Sequence, residues 1–235
     1  MKQNYLYSFT LSLVMLTSMP AISQEQTLEK GEYLTETGSG RLIISGQKNK
    51  LFFSISTVGA NGHVCDLSGE IRGNRAVLPE DEHVEPVCAI KFDKKGDVIS
   101  VLPSDSCHDL YCGMRAYFGG NYFQPNKGCS SMEQGNRYEA FKALYDKRSY
   151  ALALKESQTL LNDCKKFTDW IGKDNLKNDI AITQYHLADK AGCLSTLKSI
   201  GADSLEANLP PMETEIAASI VKAKNINLKL CKKLK

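Results

Sequence analysis

Eight cysteines, at positions 65, 88, 107, 112, 129, 164, 193 and 231, set the tightest limit on what this chain of 235 residues can fold into. All of them follow an amino-terminal stretch with the marks of an export signal. Lys2 supplies a positive start, Leu11 to Met19 form a short apolar core, and Ala21-Ile22-Ser23 before Gln24 gives the small-x-small spacing of a signal peptidase site. An even cysteine count in an exported chain reads as a disulfide framework. The apolar core falls short of the roughly 20 residues that cross a bilayer, and no later run reaches that length. The sequence therefore predicts a signal peptide over 1–23 and a soluble, periplasmic or secreted product with no membrane insertion. No Cys stands just after the cleavage point, so no lipid anchor is expected.

Eight thiols allow on the order of a hundred pairings. Their order along the chain narrows this, because four fall before residue 113 and four after residue 128. If each half closes its own bridges, the nearest pairs are Cys65 with Cys88, Cys107 with Cys112, Cys129 with Cys164 and Cys193 with Cys231. Each bridge stabilises by roughly 2–4 kcal/mol in the chain-entropy account. A zinc site at Cys107-His108-Asp109-Leu110-Tyr111-Cys112 is disfavoured, because the spacing is not Cys-x-x-Cys and no second ligand pair accompanies it. No metal and no cofactor is expected.

Charge excludes some partners. The formal charge is +2 and falls to +1 when Lys2 leaves with the signal. No strong field is available to gather phosphates, so nucleic acid and anionic membrane are not expected partners. Charge is uneven locally: Glu80, Asp81, Glu82 and Glu85 form an acidic loop, whereas Lys222, Lys224, Lys229, Lys232, Lys233 and Lys235 crowd the end of the chain. Lysines there match the negative end of a helix dipole.

The periodicity changes near Pro125. Before it, Arg41–Ser45, Leu51–Ser56, Ala89–Phe92 and Asp97–Leu102 are short β-branched or alternating runs, separated by the turns 45–50, 71–75 and 93–97. Short strands at regular spacing predict a disulfide-stapled antiparallel barrel or sandwich. Gly31-Glu32-Tyr33 opens the run and Gly120-Asn121-Tyr122 ends it, as in a sheet that closes on itself. After Pro125 the period becomes helical. Tyr138, Phe141, Leu144 and Tyr145 share one face, and Tyr150, Ala153, Leu154, Ser157, Leu160 and Leu161 another, with a break at 147–149. A second pair follows around Ile180–Ala188 and Cys193–Ile200, then a last helix over about Met212–Leu234. The predicted organisation is α+β in two domains: a β domain over 24–124, a linker over 125–136, and an all-α helical-hairpin bundle of five helices over 137–235.

Tyr150-Ala151-Leu152-Ala153, with Ala181, Ala188 and Cys193 at corresponding small positions, resembles tetratricopeptide-type hairpins over about residues 137–200, although the two units are offset by more than that family's usual period. The stretches Asn61–Ile71 and Tyr111–Tyr122 are similar to a β domain of exported proteobacterial proteins associated with lysozyme-inhibitor-like regions. That likeness implies a rigid barrel and, as an expectation, a protein partner such as a wall-degrading enzyme or secreted effector.

Catalytic motifs are missing from the sequence. His63, His83, His108 and His186 belong to no Gly-x-Ser-x-Gly elbow or His-Glu-x-x-His helix, and every cysteine has a structural partner. Asp66 and Glu70 share a strand face, but the one tryptophan, Trp170, lies in the other half and leaves no sugar cleft beside them. The chain reads as a non-catalytic binding protein. In an inhibitor or immunity protein, Asn61 and His63 in the glycine-rich loop, Glu80, Asp81, Glu82 and Glu85 in the acidic loop, and Arg115 are the candidate partner contacts. In the alternative, a helical scaffold for envelope assembly, Tyr138, Tyr145 and Tyr185 are expected partly exposed in a groove.

Overall fold

A computed structural model describes residues 27–47, 49–78, 87–202 and 209–235. The export segment 1–23 and the acidic residues Glu80, Asp81, Glu82 and Glu85 lie outside them. Eight strands form one antiparallel sheet: β1 Gly31–Thr35, β2 Gly40–Gln47, β3 Lys50–Val58, β4 Val64–Ile71, β5 Arg75–Leu78, β6 Cys88–Lys95, β7 Val98–Pro103 and β8 Gly120–Phe123. Their order is β4-β3-β2-β1-β8-β7-β6-β5. The first and last strands are thus neighbours, with Leu34 opposite Phe123 and Thr35 opposite Tyr122. This pairing curls the sheet into a nearly closed barrel. A seam remains between the terminal strands β4 and β5, which are joined by a tight turn with Gly73 at φ 65° and an isolated bridge from Arg72 to Arg75.

Alternation along the strands fills the barrel. Leu42 and Ile44, Phe53 and Ile55, Ile90 and Phe92, Ile99 and Val101 are all buried, while the residues between them face outward. Phe53 and Phe92 meet at 5.2 Å between ring centroids. Burial of each such side chain contributes about 1.5–3 kcal/mol. Tyr122 is fully buried and its hydroxyl donates to the Phe118 carbonyl oxygen at 2.8 Å.

The disulfides are Cys65–Cys112, Cys88–Cys107, Cys129–Cys164 and Cys193–Cys231. The last two match the sequence expectation. The first two correct it, because nearest-neighbour pairing ignores the sheet. Cys65 lies on β4 and Cys88 on β6, on opposite sides of the seam, and the short helix α1, Ser106–Tyr111, sits between them. Cys107 on α1 reaches β6, and Cys112 just after it reaches β4. The helix and its two bridges therefore strap the barrel across the place where strand pairing fails. Four disulfides fit an oxidising, extracellular-type environment.

Five further helices follow among the described residues: α2 Ser131–Asp146, α3 Tyr150–Cys164, α4 Trp170–His186, α5 Lys190–Lys198 and α6 Pro211–Lys233. Sequence signals mark their starts. Ser130 and Glu133 form a capping box at α2, so that this helix begins inside the segment read as linker. Asp169 accepts from Gly172 N at 2.6 Å and Asp189 from Gly192 N at 2.8 Å, capping α4 and α5. Pro211 opens α6. Cys129–Cys164 ties the start of α2 to the end of α3, and Cys193–Cys231 ties α5 to the end of α6. A buried polar pair fixes the register of α4 on α6: Asn227 Nδ2 donates to the Asn178 carbonyl oxygen at 3.2 Å, and Asn178 Nδ2 to the Ile220 carbonyl oxygen at 3.2 Å. Among the described residues no helix is long and apolar enough to cross a membrane.

Barrel and helices share one apolar cluster. On β1, Tyr33 points into the barrel and its neighbour Leu34 points out, against Cys129, Leu160, Cys164, Phe167, Leu176 and Ile180, with Phe123 beside it. Both faces of β1 are thereby buried.

Candidate functional site

Rings gather where α2 turns into α3 and α4 ends. Tyr138, Phe141 and Tyr145 recur at helical spacing on α2, Tyr150 opens α3, and Tyr185 and His186 close α4. Centroids run from Tyr138 to Phe141 at 5.8 Å, Phe141 to Tyr145 at 6.0 Å and Tyr145 to Tyr150 at 5.4 Å. His186 stacks flat on Tyr150 at 4.4 Å and 5° and meets Tyr145 edge-on at 5.7 Å. Phe141 is 3% exposed and forms the floor, whereas Tyr138 is 36% exposed; Tyr145, Tyr150 and Tyr185 are half-buried, and His186 is open to solvent. The result is an aromatic shelf, packed beneath and partly bare above.

Hydrogen bonds hold the shelf. Tyr138 donates to Asp179 Oδ2 at 2.9 Å, and Tyr145 Oη lies 3.1 Å from His186 Nε2. Burial raises the Asp179 carboxyl above its ordinary range, against the opposing pull of the Tyr138 hydroxyl and the Lys142 ammonium. Burial first, and then the Asp179 charge, pushes Tyr138 up to about 12. Burial also raises Tyr145. These hydroxyls stay protonated at neutral pH and remain donors.

The loop read as a partner contact is engaged inside the protein. Asn61 stands at φ 57° in the short helical turn Ala60–Gly62. Its backbone N donates to Glu213 Oε1 at 2.8 Å and its Oδ1 accepts from Met212 N at 3.3 Å, so the start of α6 docks on it. The Arg115 backbone N donates to His63 Nδ1 at 3.3 Å, and Gly113 N to the Val64 carbonyl oxygen at 2.8 Å. His63 and Arg115, distant in sequence, are thus brought together, while Asn61 is bonded to α6; the Arg115 side chain itself stays exposed. Glu213 Oε2 is buried without a hydrogen-bond partner among the described residues.

The remaining candidates are scattered. His108 contacts the adjacent Asp109 at 3.3 Å on the surface. Asp66 and Glu70 lie on the outer face of β4, and Glu70 pairs with Lys50 at 3.1 Å and Arg72 at 3.8 Å. A cleft of about 350 Å³ opens at the seam between Glu70 and Arg75, Ala76 and Val77. Among the described residues no group of three or more His, Cys, Asp or Glu is placed to hold a metal ion.

The scaffold alternative expects Tyr138, Tyr145 and Tyr185 partly exposed, against core packing on their apolar stripes; they are partly exposed, and Tyr150 and His186, which the sequence did not point to, lie with them. The available signal was the short 147–149 break, which forces Tyr145 and Tyr150 to face one another across a turn. His186 joins them only through the packing of α4, which no local pattern announces. Comparison of the chain with protein-family models, curated proteins and solved structures returns no match.

Proposed function

We propose that this is an exported, non-catalytic binding protein whose helical-hairpin domain recognises a protein partner through the aromatic shelf, with the barrel domain as its rigid support. The observation that carries this reading is the half-exposed run of rings from Tyr138 to His186 on a buried Phe141 floor. Tyrosines give large contact area at low conformational cost, because few torsions are left to freeze. Ring positions pinned by neighbours are partly paid for in advance. The inhibitor reading keeps His63, the exposed Arg115 and the acidic loop Glu80–Glu85, since α6 occupies only Asn61 among its candidate contacts.

The test uses the full oxidised protein as bait on an envelope extract, comparing wild type with Tyr150→Ala and with a loop variant, Glu80→Lys/Glu82→Lys. A partner lost at least tenfold in Tyr150→Ala and kept by the loop variant supports the shelf, a size expected of an interface hot spot costing about 2 kcal/mol. The reverse pattern overturns it and restores the loop as the contact.

A further inference from the structure

We infer that the partner segment seated on the shelf is acidic, and that Arg148 and the lysines around it at the same end of the helices are the cations that hold it. This rests on the shelf being a binding surface and adds the chemistry of its occupant.

Contacts establish that the cations share one end. The stack of His186 on Tyr150 brings the end of α4 beside the turn from α2 to α3. Lys190 Nζ donates to the Leu234 carbonyl oxygen at 2.6 Å, which brings the end of α6 to the start of α5. Lys147 and Arg148 thus lie in the turn that joins the rings of α2 and α3, and Lys232, Lys233 and Lys235 at the same end of the helices, all exposed. Among the described residues none of these five makes an ion pair. Of the carboxylates at this end, Asp189 is already used as the cap of α5.

Arg148 is a cation set between Tyr145 and Tyr150 in the turn from α2 to α3. The turn after α2 closes with Ser149 N on the Leu144 carbonyl oxygen at 2.9 Å and Arg148 N on that of Tyr145 at 2.8 Å. The turn after α4 repeats this with Asp189 N on Gln184 at 2.9 Å and Ala188 N on Tyr185 at 3.0 Å. Such a helix end needs a left-handed residue, the position that favours glycine or asparagine. Arg148 holds it at φ 58° after α2, as Ala188 does at φ 58° after α4. Lysines in a last helical turn are accounted for by the dipole, whereas the Arg148 guanidinium lies beyond the helix end, exposed and without a carboxylate partner among the described residues. A guanidinium offers a two-pronged match to a carboxylate, and the rings beside it take apolar residues of the same segment.

A peptide fits better than an anionic membrane. Asp146 and Asp189 stand among the cations and would be pressed against any uniformly negative sheet, whereas a chain places its carboxylates between them. Electrostatic attraction also speeds encounter with such a chain.

The experiment selects random dodecapeptides by display on the full oxidised protein and measures their affinity by fluorescence anisotropy for wild type, Arg148→Gly and Tyr150→Ala, with phosphatidylglycerol vesicles as a parallel probe. Selected peptides rich in Asp and Glu, bound at least tenfold more weakly by both variants and weakened by salt, are expected. Arg148→Gly should hold or raise the thermal midpoint, so its loss of binding is not unfolding. Neutral or basic peptides sensitive only to Tyr150→Ala overturn the acidic partner and leave the shelf standing. Acidic peptides indifferent to Arg148→Gly overturn the inference, as does selection of no peptide or Arg148-dependent binding to vesicles alone. Peptides indifferent to Tyr150→Ala remove the shelf itself.

Discussion

Asp179 carries a charge that the fold resists. Its carboxyl is raised by burial, so the folded chain takes up a proton more readily than the unfolded one. The stability this contributes is complete below the unfolded value of about 3.9 and is lost as pH rises through the higher folded value. Asp179→Asn, which still offers Tyr138 an acceptor, should raise the thermal midpoint at pH 7, with the gain shrinking towards pH 4; circular dichroism melts at both pH values check it. Gly59 makes a separate point about space. A Cβ there would overlap the Arg115 carbonyl oxygen and crowd the Ala116 Cα. Gly59→Ala should cost about 3 kcal/mol in a urea titration, more than the about 1–2 kcal/mol of left-handed backbone strain at Gly73 (φ 65°) or Gly96 (φ 59°), where a Cβ meets nothing within 4 Å. The sequence marked Gly59 only as part of a glycine-rich turn. Its real constraint comes from backbone on the far side of α1, which no local window contains.

Among elements, the α1 strap is the part least legible in advance. Strand runs and turns could be read from alternation, and the closing of β1 on β8 from the similar first and last strands. Register across the seam could not, and pairing Cys65 with Cys88 was the cost. Non-reducing peptide mapping should recover Cys65 with Cys112 and Cys88 with Cys107; a peptide pair joining Cys65 to Cys88 would overturn the strap. The helical bridges were legible because helix direction alone puts Cys129 and Cys164, and Cys193 and Cys231, at matching ends. Helix starts were legible too, in physical terms that predict a cost: Ser130→Ala removes the hydroxyl that caps α2 and should destabilise by about 1 kcal/mol in the same titration. The strap also guards what the sheet leaves open, since β4 and β5 meet only in the bridge from Arg72 to Arg75 while β4 bridges instead to Cys112, just after α1.

At the scale of the molecule, β1 joins what the change of period at Pro125 seemed to divide. Leu34 is 2% exposed and packs into the cluster of Phe167, Leu176 and Ile180, while Thr37 N donates to the Lys166 carbonyl oxygen at 3.0 Å. Lys166 Nζ sits 3.4 Å above the Phe123 ring. Leu34→Ala should therefore cost about 3 kcal/mol although it leaves the barrel interior intact. Its effect should appear equally in near-ultraviolet signals from Trp170 on the helical side and in protection of barrel amides. A sequence reading sees Leu34 as one apolar residue in a short strand and cannot tell which side it faces outward to. The strap across the seam has a mechanical meaning as well. Stretched from its two ends in a force spectrometer, the oxidised chain cannot pay out the 47-residue span between Cys65 and Cys112. That span withholds about 160 Å of contour length, which a reductant in the chamber would release.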